Sequence, residues 1–387
     1  MFDLKKISRS QILLGSGFLI FKKQEKGRCI MKLYESTIAG IRPACKDSMR
    51  EAAGRLDKLA KPIGSLGKLE ELAVKIAGIT GKQSTRFEKK VTIIMAADNG
   101  VVEEGVSACP QAVTTVQTIN FLKGVTGVCV LSRHAGADIR VVDIGVGSDL
   151  EYPGLISRKI RKGTTNMAKG PAMSREEAIK AIETGIEMVS QLISEGYSLF
   201  GTGEMGIGNT STSSAVTMSF LGCGSNDAVG KGAGLTEEGF SNKKSVIERA
   251  ISINRPDPKD PVDVLSKVGG FDIAGMAGCF LGAAYHRVPV VIDGFISAAA
   301  ALTAYRINPL VKDFMIASHC SEEPGYKLAI REIGLEPMLN LDMRLGEGSG
   351  CPLAFNVIEA AEAIISEMAT LEEAMIADDF LIDIREK

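Results

Sequence analysis

Short apolar runs that end in glycine or aspartate recur along the middle of this sequence and constrain its fold more than any other feature. They cover residues 91–96, 139–144, 197–200 and 288–292. Each run is apolar on both faces, which is typical of strands buried between two layers of helices. Helical stretches separate the runs, so the pattern predicts βαβ units and a mostly parallel sheet.

Helical patterns occupy both ends of the chain. Apolar residues recur at three- and four-residue spacings over residues 36–81, and a second, Glu-rich helical stretch covers residues 354–374. We therefore predict an α/β domain over residues 82–310, with residues 31–81 and 311–387 forming a smaller helical domain.

The first thirty residues have a different character. Lys5, Lys6 and Arg9 precede the apolar run 12–21, as in a signal peptide. Basic residues follow that run instead of a small-residue cleavage site, and the run is too short to span a bilayer comfortably. We expect residues 1–30 to be an extension outside the folded core, and no stable membrane association.

Charge and cysteine usage exclude several classes of function. A formal net charge of −2 gives no basic field for nucleic acid. The eight cysteines form no Cys-x-x-Cys pair and do not join any of the three histidines at ligand spacing. We expect no protein-bound metal, a reducing cytoplasmic compartment, and partners that are small molecules or further copies of the chain.

A glycine-rich string follows the third apolar run. Residues 201–206 match G-x-G-x-x-G and lead into an apolar helical segment, an arrangement that brings backbone N–H groups to a phosphate. A dinucleotide site also needs an acid at the end of the next strand, and the glycine-rich residues 222–234 are not strand-like. Glu204 would add negative charge beside a pyrophosphate. The string favours a simple phosphate or phosphoribosyl group.

Glu347 lies among glycines in Leu-Gly-Glu-Gly-Ser-Gly, just before a helical stretch. A glycine-flanked carboxylate can be held close to a ligand and serve as a general base. The residues alone favour another explanation, in which this Glu satisfies the first turn of the following helix.

Other polar residues carry weaker signals. Asp98, Asp272 and Asp293 also lie beside glycines, where plain turns account for them. His319 has no Ser-His-Asp spacing around it and is expected to be structural. Lys243 could pair with a phosphate, although a solvated lysine is the default interpretation.

Taken together, these strings resemble one family, the nicotinate-nucleotide:5,6-dimethylbenzimidazole phosphoribosyltransferases, which assemble the lower ligand of cobamides. The similarity extends from about Arg55 to Ala374. The matching strings, in the family's order, are residues 61–67, 97–101, 104–107, 203–210, 268–272, 292–297 and 341–350.

The resemblance implies a homodimer with a Rossmann-like sheet and a small helical domain. It also implies a reaction without a redox step or cofactor. Nicotinate leaves C1′ of the ribosyl phosphate, a base nitrogen attacks from the opposite face, and an α-riboside phosphate forms. A pyridinium is already a good leaving group, so positioning of the two reactants is the enzyme's main task.

Roles for individual residues follow from the same resemblance. Glu347 matches the general base, and Glu204 matches a second active-site carboxylate near the ribose. The expected nucleotide-side residues are Gly203, Gly206, Gly208, Asn209, Thr210, Lys243 and, with less support, Ser318. The expected residues of the base pocket are Cys109, Gln117 and Leu345.

Two departures from the family pattern bear on the substrate. Cys109 stands where the family has a serine in the base pocket, and the common Asp-His-Gly reads Asp-Asn99-Gly here. Since cysteine is more apolar and a weaker donor than serine, a phenolic or purine base is an alternative acceptor. A nucleotide-dependent oxidoreductase and a non-catalytic partner subunit are the remaining alternatives.

Overall fold

Six parallel strands form one sheet in the part of the chain that the computed structural model describes, residues 33–232, 234–377 and 381–385. The predicted extension at residues 1–30 lies outside the described residues. The sheet order is β3-β2-β1-β4-β5-β6. The strands are β1 (Lys90–Ala97), β2 (Asp138–Gly145), β3 (Ile156–Ser157), β4 (Leu199–Met205), β5 (Val290–Ile292) and β6 (Met315–Ala317).

Helices connect the strands and cover both faces of the sheet. The described α-helices are α1 (Leu33–Gly40), α2 (Lys46–Leu56), α3 (Lys68–Thr80), α4 (Val113–Lys123), α5 (Gly127–His134), α6 (Arg175–Ser194), α7 (Asn209–Leu221), α8 (Ser225–Ala228), α9 (Glu237–Asn254), α10 (Pro261–Val268), α11 (Phe271–His286), α12 (Phe295–Ile307), α13 (Pro324–Ile333) and α14 (Gly350–Glu367). Within the described ranges, none of these helices combines the length and the hydropathy that crossing a bilayer requires.

The predicted α/β class and the four predicted strands are confirmed, because all four apolar runs lie in or overlap β1, β2, β4 and β5. Every residue of β1 is buried, as expected for a strand covered on both faces. Ile93 and Met95 pack in the cluster that includes α6, α11 and α12, whereas Ile94 and Ala96 pack against α4 and α5. The period of two in strand side chains therefore builds two separate core layers from one apolar run.

Helices α6 and α11 approach each other closely enough for their backbones to touch. A Cβ added to Gly278 would lie 1.9 Å from the carbonyl oxygen of Ile182, and one added to Gly185 would lie 2.0 Å from that of Gly275. Glycine is required at this crossing because any side chain would push the helices apart. The start of α6 has the predicted capping box, in which Ser174 and Glu177 bond reciprocally.

Helices from the two ends of the chain meet on one face of the sheet. α2, α3 and α14 share an apolar cluster with Leu199, Val291 and Ile316 of the sheet. The sheet continues beyond residue 310, where we placed the end of the α/β domain, because β6 pairs with β5. The division into an α/β domain and a helical domain remains a prediction.

The order of the strands determines where a ligand can bind. β1 leads to β2 and β3 on one side of the sheet, and β4 leads to β5 and β6 on the other. In open parallel sheets, ligands bind beyond the carboxyl ends of the strands where the order reverses. Here that crevice lies between the ends of β1 and β4, next to Asp98 and Glu204.

The contact between α6 and α11 generates a stability prediction. Gly278→Ala should lower the free energy of unfolding by about 1–3 kcal/mol, because the new methyl group overlaps backbone that cannot rotate away. Gly54→Ala is the matched control, since nothing lies within 4 Å of a Cβ at this helical position. We expect the control to gain roughly 0.5–1 kcal/mol. Urea unfolding measures both changes, and an equal gain in both variants would contradict the close helix contact.

Candidate active site

A cavity of about 370 Å³ opens at the carboxyl ends of the strands, in the crevice that the strand order predicts. The segments after β4, β5 and β6, the residues before α14, and one face of α4 build its wall. The lining residues are Ser107, Val113, Gln117, Glu204, Met205, Gly206, Ile207, Gly208, Asn209, Thr210, Gly232, Gly294, Phe295, Ile296, His319, Ser321, Glu323, Arg344, Leu345, Gly346 and Glu347.

Glu347 lies in the cavity wall with its carboxylate hydrogen-bonded as an acceptor. Its Oε1 accepts from Nε2 of Gln117 at 2.7 Å, and its Oε2 accepts from the N–H of Val128 at 3.2 Å. Gln117 belongs to α4, and Val128 lies in the first turn of α5. The expectation that Glu347 caps the following helix is therefore wrong, because its carboxylate faces α4 and α5 rather than the start of α14.

The backbone around Glu347 adopts an unusual conformation. Gly346, Glu347 and Gly348 all have positive φ, with a value of 65° at the glutamate itself. Asp293 holds this loop: its Oδ2 accepts from the N–H of Gly348 at 2.9 Å, and its Oδ1 accepts from that of Gly350 at 2.7 Å. A loop that carries a non-glycine residue in this conformation is typical of a functional site.

Gly203, predicted for the phosphate loop, lies instead in β4, paired with Ile94 of β1. A Cβ at this position would lie 2.3 Å from the carbonyl oxygen of Glu347. Its missing side chain lets the Glu347 loop approach the sheet. The glycine-rich string is thus strand as far as Met205, because pairing with β1 overrides the low strand preference of glycine.

The phosphate-side loop begins at Gly206. Gly206 and Gly208 line the cavity, and α7 starts immediately afterwards with Asn209 and Thr210 in its first turn. The N-terminal turn of α7 contains no acidic residue. Because the first N–H groups of a helix lack intrahelical partners, this end of α7 is suited to bind an anion.

Lys243 and Ser318 lie behind the cavity wall. Nζ of Lys243 donates to Oγ1 of Thr210 at 2.8 Å and to the carbonyl oxygen of Gly230 at 3.0 Å. Burial lowers the pKa of this lysine to about 8. Lys243 therefore contacts the start of α7 through Thr210, whereas Ser318 packs between the carbonyl of Asp293 and His319.

Three buried acids surround the floor of the cavity. Burial, followed by the charge of Asp272, raises the pKa of Glu204 to about 8. Burial also raises the pKa of Asp293 to about 7 and that of Asp272 to about 6. The N–H of Glu347 donates to Oε1 of Glu204 at 3.2 Å, which links the two acids that face the cavity.

Two of the three residues predicted for the base pocket line the cavity. Gln117 and Leu345 line the cavity, with Leu345 at its mouth and 60% exposed. Cys109 is not among the lining residues. Ser107 is, and its Oγ accepts from the N–H of Cys109 at 3.2 Å. The hydroxyl of Ser107, two positions before Cys109, is therefore the one at the cavity wall.

The sequence did not reveal several residues that line the cavity, and it predicted only a structural role for His319. His319 is buried beside Tyr326 and Asp293, as expected, yet it also lines the cavity. Ser321, Glu323 and Arg344 were not identified, because nothing in the residues next to them indicates that they face a cavity. Among the described residues, no group of three or more His, Cys, Asp or Glu side chains is placed to hold a metal ion.

Comparison with known proteins places this geometry in a family. The family model described as phosphoribosyltransferase matches residues 41–376. A protein of Clostridium tetani named nicotinate-nucleotide–dimethylbenzimidazole phosphoribosyltransferase is 58% identical over 359 residues, which are 92% of this chain and 99% of that protein. This chain belongs to that phosphoribosyltransferase family.

Further members of the family support the assignment. The protein of the same name from Ruminiclostridium cellulolyticum is 57% identical over 343 residues, covering 89% of this chain and 97% of its own length. The crystal structure of the corresponding phosphoribosyltransferase from Thermus thermophilus is 39% identical, with a TM-score of 0.81. The matched region covers 86% of this chain and 98% of that one.

The two hydrogen bonds of Asp293 generate a prediction about the Glu347 loop. Asp293→Asn replaces one acceptor oxygen by NH₂, so one loop N–H then faces another donor. We expect a loss of about 1–3 kcal/mol in the free energy of unfolding and faster hydrogen exchange over residues 346–350. Asp260→Asn is the control. Asp260 caps the start of α10, where a single oxygen, Oδ1, accepts the N–H groups of Val262 and Asp263. Its ion pair with Arg175 is exposed, so the expected loss of stability is below about 1 kcal/mol. Unchanged hydrogen exchange in Asp293→Asn would show that the two hydrogen bonds of Asp293 do not hold the Glu347 loop.

Proposed function

We propose that this chain transfers the phosphoribosyl group of nicotinate mononucleotide to 5,6-dimethylbenzimidazole or a related base. The products are an α-riboside phosphate and nicotinate, used in assembling the nucleotide loop of cobalamin and other cobamides. The observation that carries this proposal is the position of Glu347, an acceptor carboxylate in the same cavity as the N-terminus of α7.

The nucleotide is expected to bind at the α7 side. The phosphate takes the N–H groups around Gly206, Gly208 and the first turn of α7, where the helix dipole also favours an anion. Lys243 donates a hydrogen bond to Thr210 in the first turn of α7, behind the cavity wall. With the phosphate fixed, C1′ of the ribose faces the cavity between Glu204 and Glu347.

The incoming base is expected to bind at the α4 side, near Gln117 and Leu345. Glu347 accepts the N–H proton of the base while the other ring nitrogen bonds to C1′ and nicotinate leaves. The donors Gln117 and Val128 orient the carboxylate, so that little reorganisation is needed during the reaction.

The alternatives are less well supported. A dinucleotide-dependent oxidoreductase requires an acid at the end of a strand about 20 residues after the glycine-rich loop. α7 is followed here by the short α8 and a loop, not by a strand. A non-catalytic subunit is disfavoured by the intact Glu347 and its donors. The homodimer and the cytoplasmic location expected from the sequence belong to this proposal.

Replacement of Glu347 tests the chemistry. Glu347→Gln keeps the shape but removes the proton acceptor, so base-dependent release of nicotinate should fall by about two to four orders of magnitude. Calorimetric binding of nicotinate mononucleotide should survive. Glu336→Gln, at an exposed glutamate paired with Lys68, is the control. Near-normal turnover by Glu347→Gln would move the base role elsewhere. Absence of release by the wild type with benzimidazoles, phenols and purines alike would refute the proposed function.

Ser107 and Cys109 make separable predictions about the acceptor base. Since Ser107 lines the cavity, Ser107→Ala should change the preference between hydroxylated and methylated benzimidazoles by about 2–10-fold, the effect of one hydrogen bond. Cys109→Ser should leave this ratio nearly unchanged. Competition between bases, with products identified by mass, measures the ratio. A larger effect of Cys109→Ser would show that the cysteine contacts the base.

A further inference from the structure

An asparagine joins two buried acids beneath the cavity. Glu204 lines the cavity, and Asp272 lies fully buried behind it in the first turn of α11. Nδ2 of Asn209 donates to Oε2 of Glu204 and, at 3.1 Å, to Oδ2 of Asp272. A single amide group therefore places its two hydrogens on two different acids.

Asp272 is tightly enclosed. The N–H of Ile273 donates to its Oδ1 at 2.9 Å, and Nδ2 of Asn99 lies 3.5 Å from its Oδ2. A Cβ on Gly206 would lie 2.8 Å from Oδ2, and one on Gly270 would lie 2.3 Å from Oδ1. The motif Gly-Gly-Phe-Asp272 thus places a carboxyl group directly under the phosphate-side loop, although Asp272 does not line the cavity.

The charges around Glu204 are mostly acidic. Asp272 faces it from α11, Asp293 from the end of β5, and Glu347 from the loop before α14. Asp98, at the end of β1, turns instead to the N–H of Gly147 at 2.6 Å. Within the described ranges, no lysine, arginine or histidine is among the groups that shift the pKa of Glu204 or Asp272. Arg344 lies on the cavity wall, exposed to solvent.

Adjacent buried acids without a cation cannot all be ionised at low cost. Either Glu204 or Asp272 therefore holds a proton at neutral pH. Each acid accepts one backbone N–H, Asp272 from Ile273 and Glu204 from Glu347. The dipole of α11 further stabilises a negative charge on Asp272, whereas Glu204 faces the charges of both Asp272 and Asp293. The higher pKa, about 8 for Glu204 against about 6 for Asp272, agrees with this assignment.

We infer that Asp272 is a positioning residue: through Asn209 it keeps Glu204 neutral and directed at the cavity, where Glu204 donates a hydrogen bond to an oxygen of the phosphoribosyl group. The inference rests on the proposed function. A carboxylate next to the phosphate would repel it, while a neutral acid binds it as a donor. The glutamate within the glycine-rich string is then compatible with an anionic ligand.

As the pH rises through about 8, Glu204 loses its proton and with it the donor, so kcat/KM for nicotinate mononucleotide falls. Lys243 loses its charge over the same range and adds to the fall. Removing the charge of Asp272 makes ionisation of Glu204 easier. The fall then begins at a lower pH.

Glu204→Gln gives the sharpest test, because glutamine has the shape of the neutral acid and keeps a donor. We expect kcat/KM for the nucleotide to fall at pH 7, because the new NH₂ group meets the N–H of Glu347 or the amide of Asn209 where the acid accepted. Its decline above pH 8 should become shallower, since Lys243 then titrates there without Glu204. A decline above pH 8 as steep as that of the wild type would overturn the inference, since it would show that Glu204 is not a group whose proton is lost there.

Asp272→Asn tests the positioning role. The alkaline fall should move down by about one pH unit, with KM for the base unchanged, and the shift should vanish when Glu204→Gln is also present. A purely structural role would lower activity equally at every pH and would overturn the inference. Glu362→Gln is the control, since it removes a buried acid of α14 whose bond to the N–H of Thr85 lies outside the cavity.

Thermal melting shows whether Asp272→Asn folds; if it does not, the result with Glu204→Gln decides. Failure of the proposed function would look different. The wild type would then release no nicotinate with any base at any pH. The dissociation constant of nicotinate mononucleotide, measured by calorimetry across the same pH range, would still test the inference, because the donor acts on binding. A constant that does not rise above pH 8 in the wild type would overturn it.

Discussion

The carboxylate of Asp293 joins the end of β5 to the loop that carries Glu347, and the geometry of the cavity depends on this connection. Its two oxygens accept the N–H groups of Gly348 and Gly350. The loop contains three successive residues with positive φ, Gly346, Glu347 and Gly348. A glutamate in this conformation costs about 1–3 kcal/mol unless its surroundings enforce it. The two hydrogen bonds of Asp293 and the backbone contact with Gly203 enforce this conformation. The carboxylate of Glu347 is thereby directed at α4 and α5.

A second constraint is electrostatic. The carboxyl ends of the parallel strands meet beside the cavity, where β4 carries Glu204, β5 leads to Asp293 and the loop before α14 carries Glu347. An anionic nucleotide in this setting needs positive potential, which the start of α7 and the buried Lys243 provide. It also needs some of the acids to be neutral. Burial without a neighbouring cation achieves this, because it disfavours the charged form of a carboxyl group.

The sequence predicted the strands well because buried parallel strands have a local signature that needs no partner to be recognised. It was less informative where pairing decided the structure. Gly203 looked like part of a loop until β1 was seen to pair with β4, and β3, with only two residues, has no apolar run. Among the predicted site residues, Glu347, Glu204, Gln117 and Leu345 line the cavity with the loop residues Gly206, Gly208, Asn209 and Thr210. Gly203, Lys243, Ser318 and Cys109 lie behind or beside the wall.

The sequence by itself determined the α/β class, the strand-end positions of the acids and glycines, and, through its ordered motifs, the family. These properties follow from local periodicity and from residue types that a short window contains. Only the tertiary structure decided that Glu347 faces Gln117 and Val128 rather than its own helix. It also decided that Ser107 rather than Cys109 reaches the cavity, and that Asn209 connects Glu204 to Asp272. Each of these contacts joins residues whose side-chain directions depend on how separate strands and helices pack, and no local pattern encodes that packing.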